Sequence, residues 1–440
     1  MKSRQQKEKS DFRYNTGDAM VPWDAVAVKP DPVLALDILR FLAGPGENTD
    51  AYNRALERVK EAVQCLFEHG EPATKLSLGD RVKEVEEFAK SYLDVKHASF
   101  LVNWTAGYDI ALDMAGVGPG DEVIVPAITF IATASPVLRK GARVIFADVQ
   151  PETVNLDPKS VERLISDRTK AIVPVHIGGY PVDMDPILEI ARAHDIMVIE
   201  DAAHGFGGTY KGRKLGAVGD FGAFSFHEVK NITSLGEGGI LVSDSDLGAQ
   251  FPMARFCGFD LESPPPENWL YNVSPIRSKS GFFPATNYST TEIQAVALLR
   301  QMRRNEEITG QRRKVARRMH DAFANIEGLI PGPMNDDTFG ATFHLFLLRV
   351  KPDVIEGGIQ AFKQGLAAKG VTQIAHFCPL YHYDLFKALG YDRDEIRQTC
   401  PNAERAFCEE YTHLPVYGLS DERIDYMVNA VLDTAKMLRR

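Results

Sequence analysis

The sequence predicts an α/β protein, with a large domain on a mostly parallel sheet and a smaller α+β domain at the C-terminus. Three observations lead there. Between Ala98 and Asp201 short apolar segments alternate with amphipathic ones, the rhythm that wraps helices over both faces of a parallel sheet. The short segments, such as EVIVP at 122–126, are apolar enough for burial on both faces. From about Thr342 the rhythm gives way to an α+β pattern. A length of 440 residues leaves ample room for a core. The shifts in composition divide it into an N-terminal extension over 1–50, a large α/β domain over 51–310 and a small domain over 311–440.

Taken in order, residues 1 to about 20 are polar and charged and read as a mobile tail. From Pro32 to about Gly70 a patchy helical pattern is interrupted by AGPGEN. A clearer helix is predicted over Asp80–Leu93, where Val82, Val85, Phe88, Ala89 and Leu93 share one face and Asp80 serves as N-cap. Strands are then expected at Ala98–Val102, Glu122–Pro126, Arg143–Asp148, Lys170–His176 and Met197–Asp201. Helices are expected between them at Ala106–Ala115, Thr133–Arg139, Pro158–Ile165 and Met184–His194. The Pro- and Ser-rich stretch 258–284 predicts a long loop. Ser289 with Glu292 fits a capping box, opening a helix with Ile293, Val296, Ala297 and Leu299 on its apolar face. Val315, Met319, Phe323 and Ile326 continue that pattern beyond Gly310. In the small domain the pattern predicts a strand at His344–Val350, a helix at Ile359–Lys369 and a last helix at Asp421–Leu438.

Composition excludes several functions. A net charge of −10 argues against binding nucleic acid or an anionic membrane surface. The five cysteines are scattered with no C-x-x-C pair, so neither a metal site nor a disulfide framework is expected. No apolar run follows the basic N-terminus, and none reaches membrane-spanning length. A cytoplasmic location is the expectation.

In an open parallel sheet the ligand lies at the carboxyl ends of the strands. That rule gathers Thr105, Ala127 to Thr129, His176 and Asp201 to His204 in one neighbourhood. Four segments there carry chemistry. Asn103-Trp104-Thr105-Ala106 turns a strand into a helix, and its free N–H groups and the Thr105 hydroxyl suit a phosphate, although threonine is also an ordinary cap. Asp201 closes an apolar strand, where a carboxylate persists only if paired. A pyridinium N–H is one such partner; a helix cap or a structural ion pair is another. Lys230 lies between an apolar run (Phe221, Ala223, Phe224, Phe226) and a glycine cluster (Gly236, Gly238, Gly239), with Ser225 five residues before it. Partial desolvation there lowers a lysine's pKa and makes it an amine nucleophile, whereas a lysine at the mouth of a surface loop would stay inert. The fourth segment is Thr286-Asn287-Tyr288. Together they supply a phosphate cup, a partner for a pyridine nitrogen and a reactive amine, which is the donor set of a pyridoxal 5'-phosphate (PLP) site.

The sequence resembles the DegT/StrS-type sugar aminotransferases of PLP fold-type I. The likeness runs from roughly residue 78 to the C-terminus through GDEVIVPAITFIATA (120–134), VIEDAAHGFGGTYKGRKLGAVGD (198–220), FSFHEVKNITSLGEGG (224–239), NYSTTEIQA (287–295) and HLPVY (413–417). It implies a seven-stranded-type sheet in the large domain, PLP as cofactor and two catalytic residues. Lys230 takes the place of the lysine that bonds the cofactor and later shuttles the proton. Asp201 takes that of the aspartate on the pyridine nitrogen. By the same resemblance Ser225, Thr105 and the Ala106 amide form the phosphate cup, and His204 lies near the 3-oxygen, where most members carry Gln or Glu. Phe130 stands where an aromatic packs on the cofactor ring, unless it is a plain core residue. Asn287 resembles an asparagine that reaches the neighbouring subunit's phosphate, implying a homodimer with shared sites.

There are departures. Trp104 replaces a usual glycine, Ser289 a usual arginine, and Tyr381 stands where a histidine is common, with His376 retained. A histidine at 204 introduces a charge that titrates near neutral pH. His176 follows an apolar strand, either near substrate or as a satisfied core histidine. The reaction implied is transfer of an amino group from glutamate or glutamine to a keto-sugar, in particular a nucleotide-linked keto-deoxysugar. A keto-cyclitol or other sugar-derived ketone is the alternative acceptor, and a PLP-binding regulator without turnover the alternative class. Lys230 argues against the lysine-less sugar dehydratase branch.

Overall fold

Five parallel strands and two flanking ones build the sheet on which the site stands. They are β1 (His97–Leu101), β2 (Glu122–Pro126), β3 (Arg143–Ala147), β4 (Thr169–Ile172), β5 (Met197–Asp201), β6 (Phe221–Ser225) and β7 (Gly239–Ser243). In this computed structural model, which describes residues 26, 28–260, 263, 272–371 and 377–440, their order is β1-β7-β6-β5-β4-β2-β3. The β3–β2, β2–β4, β4–β5 and β5–β6 pairs are parallel, and β7 is antiparallel to both its neighbours. All five residues of β2 are buried, as a strand covered on both faces requires. The predicted tail over 1 to 20, and His376, lie outside the described residues.

The helices before and between the strands are α1 (Pro32–Leu42), α2 (Thr49–His69), α3 (Asp80–Leu93), α4 (Trp104–Met114), α5 (Ser135–Arg139), α6 (Pro158–Leu164) and α7 (Met184–His194). β4 stops four residues short of the predicted end because Pro174 has no N–H for the ladder. The chain still runs alongside, Val175 bridging Asp201. At the other end of the sheet β7 passes so close to the start of α4 that a Cβ on Gly239 would lie 2.3 Å from the Asn103 carbonyl carbon. That close approach accounts for part of the glycine cluster after Lys230.

Two predicted caps move. Asp80 is the first residue of α3 rather than its cap, and Gly79 in the cap position has no side chain to offer. The carboxylate of Glu292 does the work instead, accepting from the N–H groups of Gly79 (2.9 Å), Arg81 (3.0 Å) and Val82 (3.2 Å). Glu292 is therefore not the second half of a box with Ser289. The box is Thr291 with Gln294, and it opens the helix that follows α8 (Phe251–Arg255), namely α9 (Glu292–Met302). The register shift turns Ala295, Leu298, Leu299 and Met302 onto Val82, Val85 and Ala89 of α3, leaving Ile293 and Val296 exposed, against the predicted face. Glu292→Ala is expected to lower unfolding free energy by about 1–2 kcal/mol, the cost of a lost helix cap. Urea denaturation monitored by circular dichroism measures it, and the bound cofactor stoichiometry should stay at the wild-type value.

The stretch 258–284 is not one open loop: β8 (Ile276–Ser278) and β9 (Gly281–Phe283) form a hairpin in it, while 261–262 and 264–271 lie outside the described residues. α10 (Asn305–Phe323) runs unbroken through Gly310. Beyond it β10 (Leu329–Pro331), β11 (Phe346–Val350) and β12 (Tyr411–Leu414) form an antiparallel sheet. With α11 (Gly358–Ala368) and α12 (Asp421–Met437) it encloses a second core around Phe323, Phe346 and Phe362. Tyr381, Phe386 and Tyr391 instead pack on Phe146 of β3, tying that part of the C-terminal region to the large sheet.

Candidate active site

The carboxyl ends of β5 and β6, the first turn of α4 and the loop after β2 surround a cavity of about 660 Å³, closed on the far side by Arg312, His344 and Tyr417. Asp201 ends β5 and is buried. Its carboxylate accepts from the Thr133 hydroxyl (3.0 Å) and the Ala203 N–H (3.1 Å). Burial outweighs those bonds and pushes its pKa up to about 6. Lys230 projects into the same cavity from the turn after β6, half-buried. Burial draws its pKa down to about 8, with the Asp201 charge pulling the other way. An amine and a carboxylate, each deprived of water and each sensing the other, thus face a common space.

Thr105 and Ser225 reach the cavity together, with Phe130. Phe130 is 59% exposed, which rules out the plain core reading, and its ring meets Phe377 edge-on. His204 is buried, its ring stacked on His344 at 4.2 Å. Its Nδ1 accepts the Gly178 N–H (3.2 Å), which leaves the hydrogen on Nε2. Burial first, and the nearby Lys230 charge second, hold its pKa far below the ordinary histidine value, so the expected titration near neutral pH does not occur.

Residues 57–432 match the profile of the DegT/DnrJ/EryC1/StrS aminotransferase family. The chain belongs to that family. The aminotransferase is 36% identical over 357 residues to the GDP-perosamine synthase of Caulobacter vibrioides, covering 81% of this chain and 90% of that protein. It is 34% identical over 387 residues to the spore coat polysaccharide biosynthesis protein SpsC of Bacillus subtilis, covering 86% and 95%. A putative sugar aminotransferase of Streptococcus pneumoniae, Spr1654 in its PMP form, superposes with a TM-score of 0.73 at 28% identity, covering 83% and 94%. The protein is thus a PLP-dependent aminotransferase of the sugar type, with the fold of type I PLP enzymes. Among the described residues no helix is long and apolar enough to cross a membrane.

The aminotransferase's cavity fits the cofactor on its own evidence of charge. A buried carboxylate held by two neutral donors and still pushed up to about 6 lacks a touching cation, and a protonated ring nitrogen is one. At the other end, Thr105 in the first turn of α4 and the Ser225 hydroxyl suit a phosphate. Ala106 does not join them. It is buried away from the cavity and its N–H goes to the Asn103 side chain at 2.9 Å. α4 begins at Trp104, two residues before the predicted start, so Ala106 falls at the position that an Asn N-cap satisfies. Trp104 packs beneath the cup, its indole N–H donating to the Ala223 carbonyl (3.0 Å).

Other sequence candidates lie elsewhere. His176 bonds Glu200 through Nε2 (3.0 Å) and accepts the Val182 N–H at Nδ1 (3.0 Å), making it a satisfied core histidine. Tyr381 is buried and donates to Glu404 (2.8 Å). Asn287 is exposed, outside this cavity, and accepts the Ser289 N–H. Sequence reading missed Thr133, which it took for a helix start, and Arg312, His344 and Tyr417 of the C-terminal half. Thr129 and Thr133, whose hydroxyls lie 3.0 Å apart, were visible as an i, i+4 pair within the 120–134 motif.

Proposed function

We propose that the aminotransferase carries an amino group from glutamate or glutamine to a nucleotide-linked keto-deoxysugar, with Lys230 and Asp201 as its catalytic residues. The observation that carries this reading is the half-buried amine of Lys230, its pKa down to about 8, facing the buried Asp201 carboxylate across one cavity. Bound PLP supplies an aldehyde carbon and an electron-withdrawing ring. The chain's own residues do the rest. Thr133 and Ala203 fix the Asp201 carboxylate, which would keep the proton on the ring nitrogen. Lys230 Nζ, proton-free in a useful fraction of molecules at neutral pH, would take the proton from the substrate carbon bearing the transferred nitrogen and return it to the carbon on the other side of that nitrogen. Thr105 and Ser225 would hold the phosphate, Phe130 would cover one ring face, and the His204 Nε2–H would donate to the 3-oxygen.

The acceptor reading is supported by a relative whose name is GDP-perosamine synthase. Its test is product analysis by mass spectrometry. Nucleotide-linked 4-keto-6-deoxysugars and keto-inositols are offered separately with glutamate and with glutamine. Amination of a nucleotide sugar is the expected result; amination of keto-inositols alone would replace the acceptor, and no amination of any ketone would overturn the assignment.

Asn287, exposed and outside its own cavity, supports a homodimer with shared sites. Mixing inactive Lys230→Ala with impaired Asn287→Ala protein should then restore activity, up to about a quarter of the wild-type level, because one site of each two-fold heterodimer is intact. If Asn287 serves its own subunit, mixing restores nothing.

A further inference from the structure

Arg312 is the unexplained charge in this cavity. It projects from α10 into the cavity and is only 3% exposed. Among the described residues no carboxylate pairs with it. Its Nη1 makes one long bond of 3.4 Å to the His344 carbonyl, its Nε finds no acceptor, and its guanidinium lies over the Tyr417 ring at 4.4 Å. A buried cation without a counter-ion is costly, and burial draws this one down to about 10. It remains a cation throughout the neutral range, held flat by an aromatic face with its Nε edge unoccupied, which is the geometry that takes a carboxylate in two parallel bonds.

We infer that Arg312 receives the α-carboxylate of the amino donor and thereby sets donor specificity; this rests on the amino-acid donor proposed above. Position favours a carboxylate over a nucleotide phosphate. Lys230, Arg312 and His344 line the same cavity, and the charges of both Lys230 and Arg312 act on the His344 imidazole. The donor's carboxylate sits on the carbon that carries the transferred nitrogen. The phosphates of a nucleotide sugar are a whole sugar ring further from that carbon. Arg312 touches neither the reacting carbon nor the proton that Lys230 moves. Its work is to seat the donor.

The test separates the two half-reactions of the PLP-loaded enzyme by stopped-flow absorbance. Arg312→Gln should raise the L-glutamate concentration that half-saturates the donor half-reaction about a hundredfold, and leave saturation by the ketone acceptor unchanged. Arg312→Lys should recover part of the loss. The preference of wild type for L-glutamate over 4-aminobutyrate, which has no carboxylate on the amine-bearing carbon, should narrow in Arg312→Gln. On wild-type protein, calorimetry should show glutarate competing with the donor and its neutral diamide failing to compete, a comparison that needs no variant to fold. Unchanged donor saturation in a folded Arg312→Gln protein, weakening confined to the acceptor, or equal competition by the diamide overturns the inference and leaves the aminotransferase reading standing. A wild-type enzyme that neither glutamate nor glutamine converts overturns both.

Discussion

Lys230→Ala is expected to reduce turnover by about 10⁴-fold, the upper end of what a positioned acid–base group contributes. In the proposed mechanism the amine has two tasks at one place, bonding the cofactor and moving the proton, and one other base in the cavity, His204, is disqualified by its own bonds. His204 spends its Nδ1 lone pair on the Gly178 N–H and carries hydrogen on Nε2. Borohydride reduction followed by peptide mass analysis should place the cofactor on residue 230 of the wild type and on no residue of the variant. A small exogenous amine should restore part of the turnover, a rescue that a misfolded protein would not show. Stability tells the same story with a worked sign. Lys230 has a lower pKa folded (about 8) than unfolded (10.5), so the unfolded chain binds more protons between those values. Stability therefore rises with pH across that window. Cofactor-free wild type should gain stability relative to Lys230→Ala as pH rises from about 8 towards 10.5. Full transamination by the variant would remove Lys230 from the mechanism.

Lys230 and Asp201 stood out as charges beside apolar runs, but each alone read equally as a loop lysine or a capping carboxylate; the fold brings both to one cavity. β2 and β5 fall where expected because two-sided burial leaves a short apolar word in the sequence, and α7 because Met184, Ile187 and Ala191 recur at helical spacing on one buried face. Arg312 was illegible. It stands in Gln311-Arg312-Arg313 on a polar helix, and only packing decides which arginine turns inward; Arg318, two turns on, ends at the surface against Asp421 and Asp425. The caps failed for a different reason. Ser289-Thr290-Thr291-Glu292-Ile293-Gln294 contains the same cap spacing in two overlapping frames. The choice between them is made by α3, more than two hundred residues earlier, which recruits Glu292. Thr133 was hidden likewise, its hydroxyl meeting Asp201 from 68 positions away. What local sequence conveys is propensity and pattern; which polar atom meets which is settled by the fold.

Asp201→Asn is expected to lower turnover of the PLP-loaded enzyme on the order of a thousandfold while making the cofactor-free protein more stable. The first effect follows from removing one member of a buried charge pair, worth about 3–5 kcal/mol, at about 1.4 kcal/mol for each factor of ten. The second follows from the pKa. Burial pushes the carboxyl up to about 6 in the folded cofactor-free protein, against an ordinary value of 3.8. As pH rises from about 4 the unfolded chain ionises first and is favoured, so wild type loses stability through that window until the folded carboxyl ionises too. The loss is complete above about pH 6 and amounts to roughly 3 kcal/mol. Asparagine has no such loss and keeps one oxygen for the Ala203 N–H or the Thr133 hydroxyl. Cofactor-free Asp201→Asn should therefore overtake wild type between pH 4 and 6, whereas with PLP bound at pH 7.5 the order reverses, because a ring cation then repays the buried charge. Thermal denaturation of both proteins, with and without PLP, across that pH range measures the crossing. A carboxylate that only braced the loop through Thr133 and Ala203 would show the same order with and without cofactor, and that outcome would take Asp201 out of the chemistry.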